Sequence, residues 1–236
     1  MSTILEVTYH TTFPWALPIR AAIESKPALR ARDAKWGQGR LSDLAFSIST
    51  RLGYLPDVIG LVEENLATLG VDLVNRGTET ARRTREGKAY GFTFADYKAV
   101  RRVLIAAASF IAESRAGFEN LSDFYREFLA NYFDYNVGDK AAGYAAVASM
   151  TVCPQWATDL KNARHDVLHE RSMWIAFEVR DTSPRYEPLL LLNWRPGRFQ
   201  SKDCIKFQTL REIRDGLLEA AEGMRHRLIQ RIETLP

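Results

Sequence analysis

Two of the four histidines, His165 and His169, lie in one run from Asp159 to Trp174, D-L-K-N-A-R-H-D-V-L-H-E-R-S-M-W, with Arg164 before them and Glu170 and Arg171 behind. Histidine is the side chain whose ordinary titration spans neutral pH, so it can take a proton and return it there. Arginine stays charged and presents a planar fork of donors to a phosphate or carboxylate. The chemistry on offer is the grip of a small anion with proton transfer beside it. If the run is helical, His165 and His169 are four apart and share a face. Arg164 and His169 are then five apart, about 140° around the axis and roughly 7.5 Å along it. They flank one anion only if the helix frays at Arg164 or the long arginine side chain wraps back.

The run Arg164-His165-Asp166-Val167-Leu168-His169 resembles the Arg-x4-6-His motif of the HEPN superfamily, small helical domains that include many metal-independent ribonucleases. The family favours Asn, Asp or His after the arginine, and His165 stands there in this chain. The resemblance covers residues 155 to 175. It implies cleavage in which the ribose 2′-hydroxyl attacks the adjacent phosphate and leaves a cyclic phosphate end, with no cofactor and no metal. His169 is then the general base or acid, Arg164 holds the phosphate and its developing charge, and His165 orients the motif or contacts RNA. Arg171, Arg195, Arg198 and Lys202 are the expected RNA contacts. In the family the site forms where two copies of the motif meet, so a homodimer is implied; the role of toxin or phage-defence effector, with an antitoxin or regulatory protein as partner, also follows from the resemblance alone.

Two other readings compete. His165 and His169 form an H-x3-H pair that suits zinc, with Asp166, Glu170 or Cys153 as further ligands, although the glutamate of H-E-x-x-H is absent between them. Alternatively the run is structural, with Arg164 held by Asp159 or Glu170, and the protein is a non-catalytic HEPN-like scaffold for RNA, nucleotides or a protein partner. No Gly-rich phosphate loop, G-x-S-x-G or kinase signature competes with these.

The remaining composition sets bounds. The chain has 236 residues, 46% hydrophobic and 26% charged, with a formal net charge of +3. That suits a soluble protein with a real core, and permits RNA binding through a local patch without demanding it. Two cysteines without a C-x-x-C argue against a zinc knuckle, and two reduced thiols are the default. No secretory signal and no long apolar run is apparent, so the expected location is the cytoplasm, away from membranes.

The elements that must position the motif are mostly helices. A short helix is expected over 17–25 and a loop over 26–40. Residues 41–52 read as a helix, and Pro56 suits the first turn of the next, whose stripe is Leu55, Val58, Ile59, Val62, Leu66, Leu69 and Leu73. The basic run 76–91 reads as a connector. Asp96 or Thr93 can cap a helix through Ser114 with Tyr97, Val100, Leu104, Ala107 and Ile111 inward, Gly117 breaks it, and an aromatic helix follows to Phe133. An Ala-rich helix lies in 139–150, and another opens near Pro154 and carries the motif. Trp174–Val179 and Pro188–Trp194 read as a β-hairpin, residues 195–203 as a basic loop, and a last helix begins at Phe207 or Leu210 with Leu210, Ile213, Leu217, Ala221, Met224, Leu228 and Ile232 inward and Arg211, Arg214, Arg225, Arg227 and Arg231 outward. The expectation is a mainly α, HEPN-like helical bundle with a small inserted β-hairpin near residues 174–194. It forms one domain over 1–236, with 1–40 as an arm or loop-rich extension.

Overall fold

The computed structural model describes residues 15–32, 39–75, 96–169, 173–179, 186–191 and 204–235, with the backbone alone at Asp166 to His169, Glu178, Val179 and Tyr186. The fold is mainly helical. Its elements in order are α1 (Leu17–Glu24), α2 (Pro27–Arg30), α3 (Arg40–Asn75), α4 (Tyr97–Phe133), α5 (Lys140–Ala148), α6 (Gln155–His169), β1 (Trp174–Val179), β2 (Tyr186–Leu191), β3 (Cys204–Lys206) and α7 (Phe207–Glu233). The expected hairpin is present as β1–β2, and β3 extends it to a three-stranded antiparallel sheet of order β1-β2-β3. Among the described residues β3 pairs with Leu189–Leu191. Pro188, which has no N–H to give, therefore lies beyond the stretch where β2 must serve two neighbours.

Four sequence expectations need correction. Pro56 does not begin a helix; it lies inside α3, on an exposed position. The proline leaves the Leu52 carbonyl without its helical donor, a local cost that the burial of Leu52, Leu55 and Ile59 around it outweighs. Gly117 does not break α4. One helical glycine costs about 1 kcal/mol, which the burial of Phe118, Leu121 and Phe124 around it outweighs. The segment 26–40 is not all loop, because α2 occupies part of it. Lastly, the inward face of α4 in its first half is Ala99, Val103, Ala106, Ala107, Phe110 and Ile111. Tyr97 turns outward and is 63% exposed.

The chain divides into two compact units, and α3, α4 and α7 each give one half to each. The first comprises Met1–Tyr54, Gly117–Met150 and Ala220–Pro236. Its aromatic stripe is core: Phe124, Phe128 and Tyr132 are buried, with ring centroids 5.8 and 4.8 Å apart along the helix. Trp15 meets Phe124 edge-on at 5.1 Å, and its Nε1 donates to the Ala221 carbonyl at 2.9 Å. Two helix C-termini in this unit are capped by distant cations. The Arg32 guanidinium donates to the Tyr132 carbonyl at 3.2 Å and to the Asp134 carboxylate at 3.0 Å, and Lys26 Nζ donates to the Glu233 carbonyl at 3.1 Å. The turn after α4 uses two left-handed residues, Asp134 and Gly138, the latter at φ 101°.

The second unit comprises Leu55–Ala116 and Thr151–Glu219, and so contains α6 and the sheet. Its core includes Leu55, Ile59, Val62, Leu66, Leu69 and Leu73 of α3, Phe110 and Ile111 of α4, and Leu210, Ile213 and Leu217 of α7. In α6 the buried positions are Trp156, Leu160 and Ala163, at the four-and-three spacing of one helix face. Trp156 lies against Gly216 of α7, where a Cβ would collide with its indole ring and Cβ.

The glycines of these helices give a paired test. Gly216→Ala gains helix propensity but drives a methyl into Trp156, and should lower the unfolding free energy by about 1–3 kcal/mol in urea titration. Gly60→Ala and Gly70→Ala in α3 meet open space and should each raise it, by up to about 1 kcal/mol. Equal behaviour of Gly216 and Gly60 would show that α6 and α7 are not in close contact.

Candidate functional site

α6 is the element that carries the candidate chemistry, and its start is fixed by ordinary packing. Pro154 precedes it, and the Ala157 amide donates to the Pro154 carbonyl at 3.1 Å. Just upstream, the Val152 amide donates to the Glu219 carboxylate at 3.1 Å. Trp156 is 3% exposed, and its Nε1 donates to the buried Thr151 hydroxyl at 3.2 Å. These contacts hold the first turn, and from there the helix period dictates where later residues project.

The helix is unbroken through Arg164 and His169. Arg164 follows Leu160 by four positions, about 40° away, and so sits at the margin of the buried face; it is half-buried. Among the described residues no carboxylate pairs with it. Asp159, one of its two expected structural partners, accepts instead from Gln155 Nε2 at 3.0 Å. His165, about 140° from Leu160, is exposed and engaged in contact with the rest of the protein. His169 closes the helix. Its side chain, with those of Asp166 and Glu170, lies outside the described residues, as do Arg171, Arg195, Arg198 and Lys202. With α-helical backbone at both ends of the motif, Arg164 and His169 leave the axis about 140° apart.

One residue that the sequence reading passed over joins this group. Lys161 is exposed, three positions before Arg164 and four before His165. It places a second cation, with Arg164, on the same side of α6 as His165. The i, i+4 relation to His165 was available from spacing alone. Neither Cys153, which is exposed, nor Cys204, which is half-buried, is in a disulfide. Among the described residues, no group of three or more His, Cys, Asp or Glu is placed to hold a metal.

The five arginines expected on the outer face of α7 are engaged. Arg211 pairs with Glu63 at 2.7 Å and lies over the Phe207 ring at 4.9 Å. Arg214 pairs with Asp215, Arg225 with Glu222, and Arg227 donates to the Ser149 carbonyl. Arg231 lies over Phe133 and Tyr135 at 4.7 and 5.1 Å. No family model, no curated protein and no solved structure matches the chain.

Among the described residues no carboxylate holds Arg164, and its removal separates a binding role from a structural one. Arg164→Ala should change the unfolding free energy by less than about 1 kcal/mol, whereas Trp156→Ala should cost about 3–5 kcal/mol, both read by chemical denaturation. A loss at Arg164 as large as that at Trp156 would make the guanidinium a structural tie.

Proposed function

We propose that the protein is a HEPN-like, metal-independent endoribonuclease, and that α6 carries its catalytic residues. The observation that supports this most is Arg164: a half-buried arginine on a firmly seated helix, with no carboxylate on it among the described residues. An arginine without a carboxylate has donors to spare for an anion, and a phosphodiester fits its fork.

In the reaction, the 2′-hydroxyl of a ribose attacks the adjacent phosphorus. The new bond is 2′-O–P, and the bond that breaks is P–O5′. One imidazole accepts the 2′-hydroxyl proton, another gives a proton to the departing 5′-oxygen, and the products are a 2′,3′-cyclic phosphate and a 5′-hydroxyl. Arg164 neutralises the charge that builds on the non-bridging oxygens. His169 is the acid or base, and His165 with Lys161 steers the strand. Because Arg164 and His169 diverge along one helix, a second chain is the natural source of the complementary pair, which makes the active form a homodimer. The resemblance extends this to a toxin or phage-defence role under an antitoxin or regulator.

Cleavage of single-stranded RNA in excess EDTA tests the proposal. Wild type should cut, and Arg164→Ala and His169→Ala should each lower the rate by about 10²–10³-fold, with a smaller effect for His165→Ala. Wild-type activity that disappears with chelator would transfer the assignment to a His165/His169 metal pair. Variants as active as wild type would remove α6 from the chemistry.

A further inference from the structure

The outward turn of Tyr97 brings a second surface into view, in the same unit as α6 but on a different helix. The first turns of α4 read Y-K-A-V-R-R-V-L-I, and no acidic residue occurs from Tyr97 to Ala112. Lys98, Arg101 and Arg102 are all exposed. Among the described residues none of the three has an ion pair or a hydrogen-bonded partner. This contrasts with the arginines of α7, which are held by Glu63, Asp215, Glu222, the Ser149 carbonyl and two aromatic rings. Helix geometry places Tyr97, Arg101, Lys98 and Arg102 within an arc of about 140°, with Lys98 and Arg102 about 6 Å apart along the axis. That separation is comparable to the step between successive phosphates of an extended strand. Ala99 and Val103 point the other way, into the core, and fix the rotation of the helix.

We infer that this face of α4 is a binding surface for single-stranded RNA, in which Lys98, Arg101 and Arg102 meet consecutive phosphates and the Tyr97 ring stacks on a base. Cations of one sign, with no ion pair among the described residues and no intervening carboxylate, give charge complementarity to a polyanion. An exposed phenol beside them gives the stacking platform that single-strand binders combine with such charge. A solvated helix face would ordinarily mix in carboxylates at i+3 or i+4, and this one has none. The choice of RNA rests on the function proposed above. The surface itself does not depend on Arg164 or His169.

The test is fluorescence anisotropy with a labelled 2′-O-methyl RNA, which keeps bases and phosphates, across about 50–200 mM salt. Each phosphate contact on a single strand contributes about 0.7 to the slope of log affinity against log salt. Lys98→Gln/Arg101→Gln/Arg102→Gln should therefore lower the slope by about two, with an unchanged circular dichroism spectrum. If the triple variant does not fold, Arg101→Gln and Arg102→Gln alone should each lower it by about 0.7. Tyr97→Leu should weaken binding about tenfold while leaving the slope intact. Arg225→Gln/Arg227→Gln, at sites already engaged, should leave the slope as in wild type. An unchanged slope in the α4 variants overturns the inference, as does wild-type binding to phosphatidylserine vesicles but not to RNA. Failure of the nuclease proposal reads out separately, as RNA cutting that is indifferent to Arg164→Ala while the α4 slope still falls.

Discussion

The contact between Trp156 and Gly216 is the constraint on which the placement of α6 depends. An indole is the largest side chain a helix can bury, and it fits here because α7 presents no side chain opposite it. Close approach of two helices through a glycine exchanges about 1 kcal/mol of helix propensity for the burial of a whole aromatic ring. Once Trp156 is seated, the position of each later residue of α6 follows from the 100° step. Leu160 and Ala163 continue the buried face, Arg164 reaches its margin, and His165 is turned to solvent. The rotation that puts Arg164 at the boundary between core and water is thus set two turns earlier.

That boundary has electrostatic consequences. An arginine at a helix margin can bury its stem against the core while its fork of donors stays accessible. Asp159 is turned to Gln155, and the described residues bring no other carboxylate to Arg164. In the same unit, Arg211 is satisfied by Glu63, a partner 148 residues away in sequence. The protein thus pairs its cations where they serve the fold and leaves others, Arg164 on α6 and Lys98, Arg101 and Arg102 on α4, without an anion among the described residues.

Much of this architecture was legible in the sequence where one pattern dominated. The stripe of α7 from Leu210 to Ile232 is buried at each expected position, because its polar residues are charged and leave a single apolar face. The hairpin, the Asp96 cap and the helical setting of the motif were legible for similar local reasons; the Ala99 amide donates to Asp96 Oδ1 at 2.8 Å. The first turns of α4 misled because apolar residues occur on nearly every side. The small alanines took the inside, and the larger Tyr97 and Ile105 were left at 63% and 62% exposure. Pro56 and Gly117 looked like breaks because their local cost is real, and the burial that overcomes it comes from distant parts of the chain. β3, with three residues, is too short to show an alternation at all. At the site, helical register was readable, but that Asp159 turns to Gln155 rather than to Arg164 was not, since spacing alone does not choose between two donors.

The central claim is that an RNA 2′-hydroxyl is the nucleophile, with Arg164 on the phosphate it attacks. The most direct measurement compares an unmodified RNA with the same strand methylated at every 2′-oxygen, both incubated with the wild-type protein in EDTA and resolved by mass spectrometry. The expected result is fragments ending in 2′,3′-cyclic phosphate from the first strand and an intact second strand. Cleavage of both strands, or of neither, would contradict it.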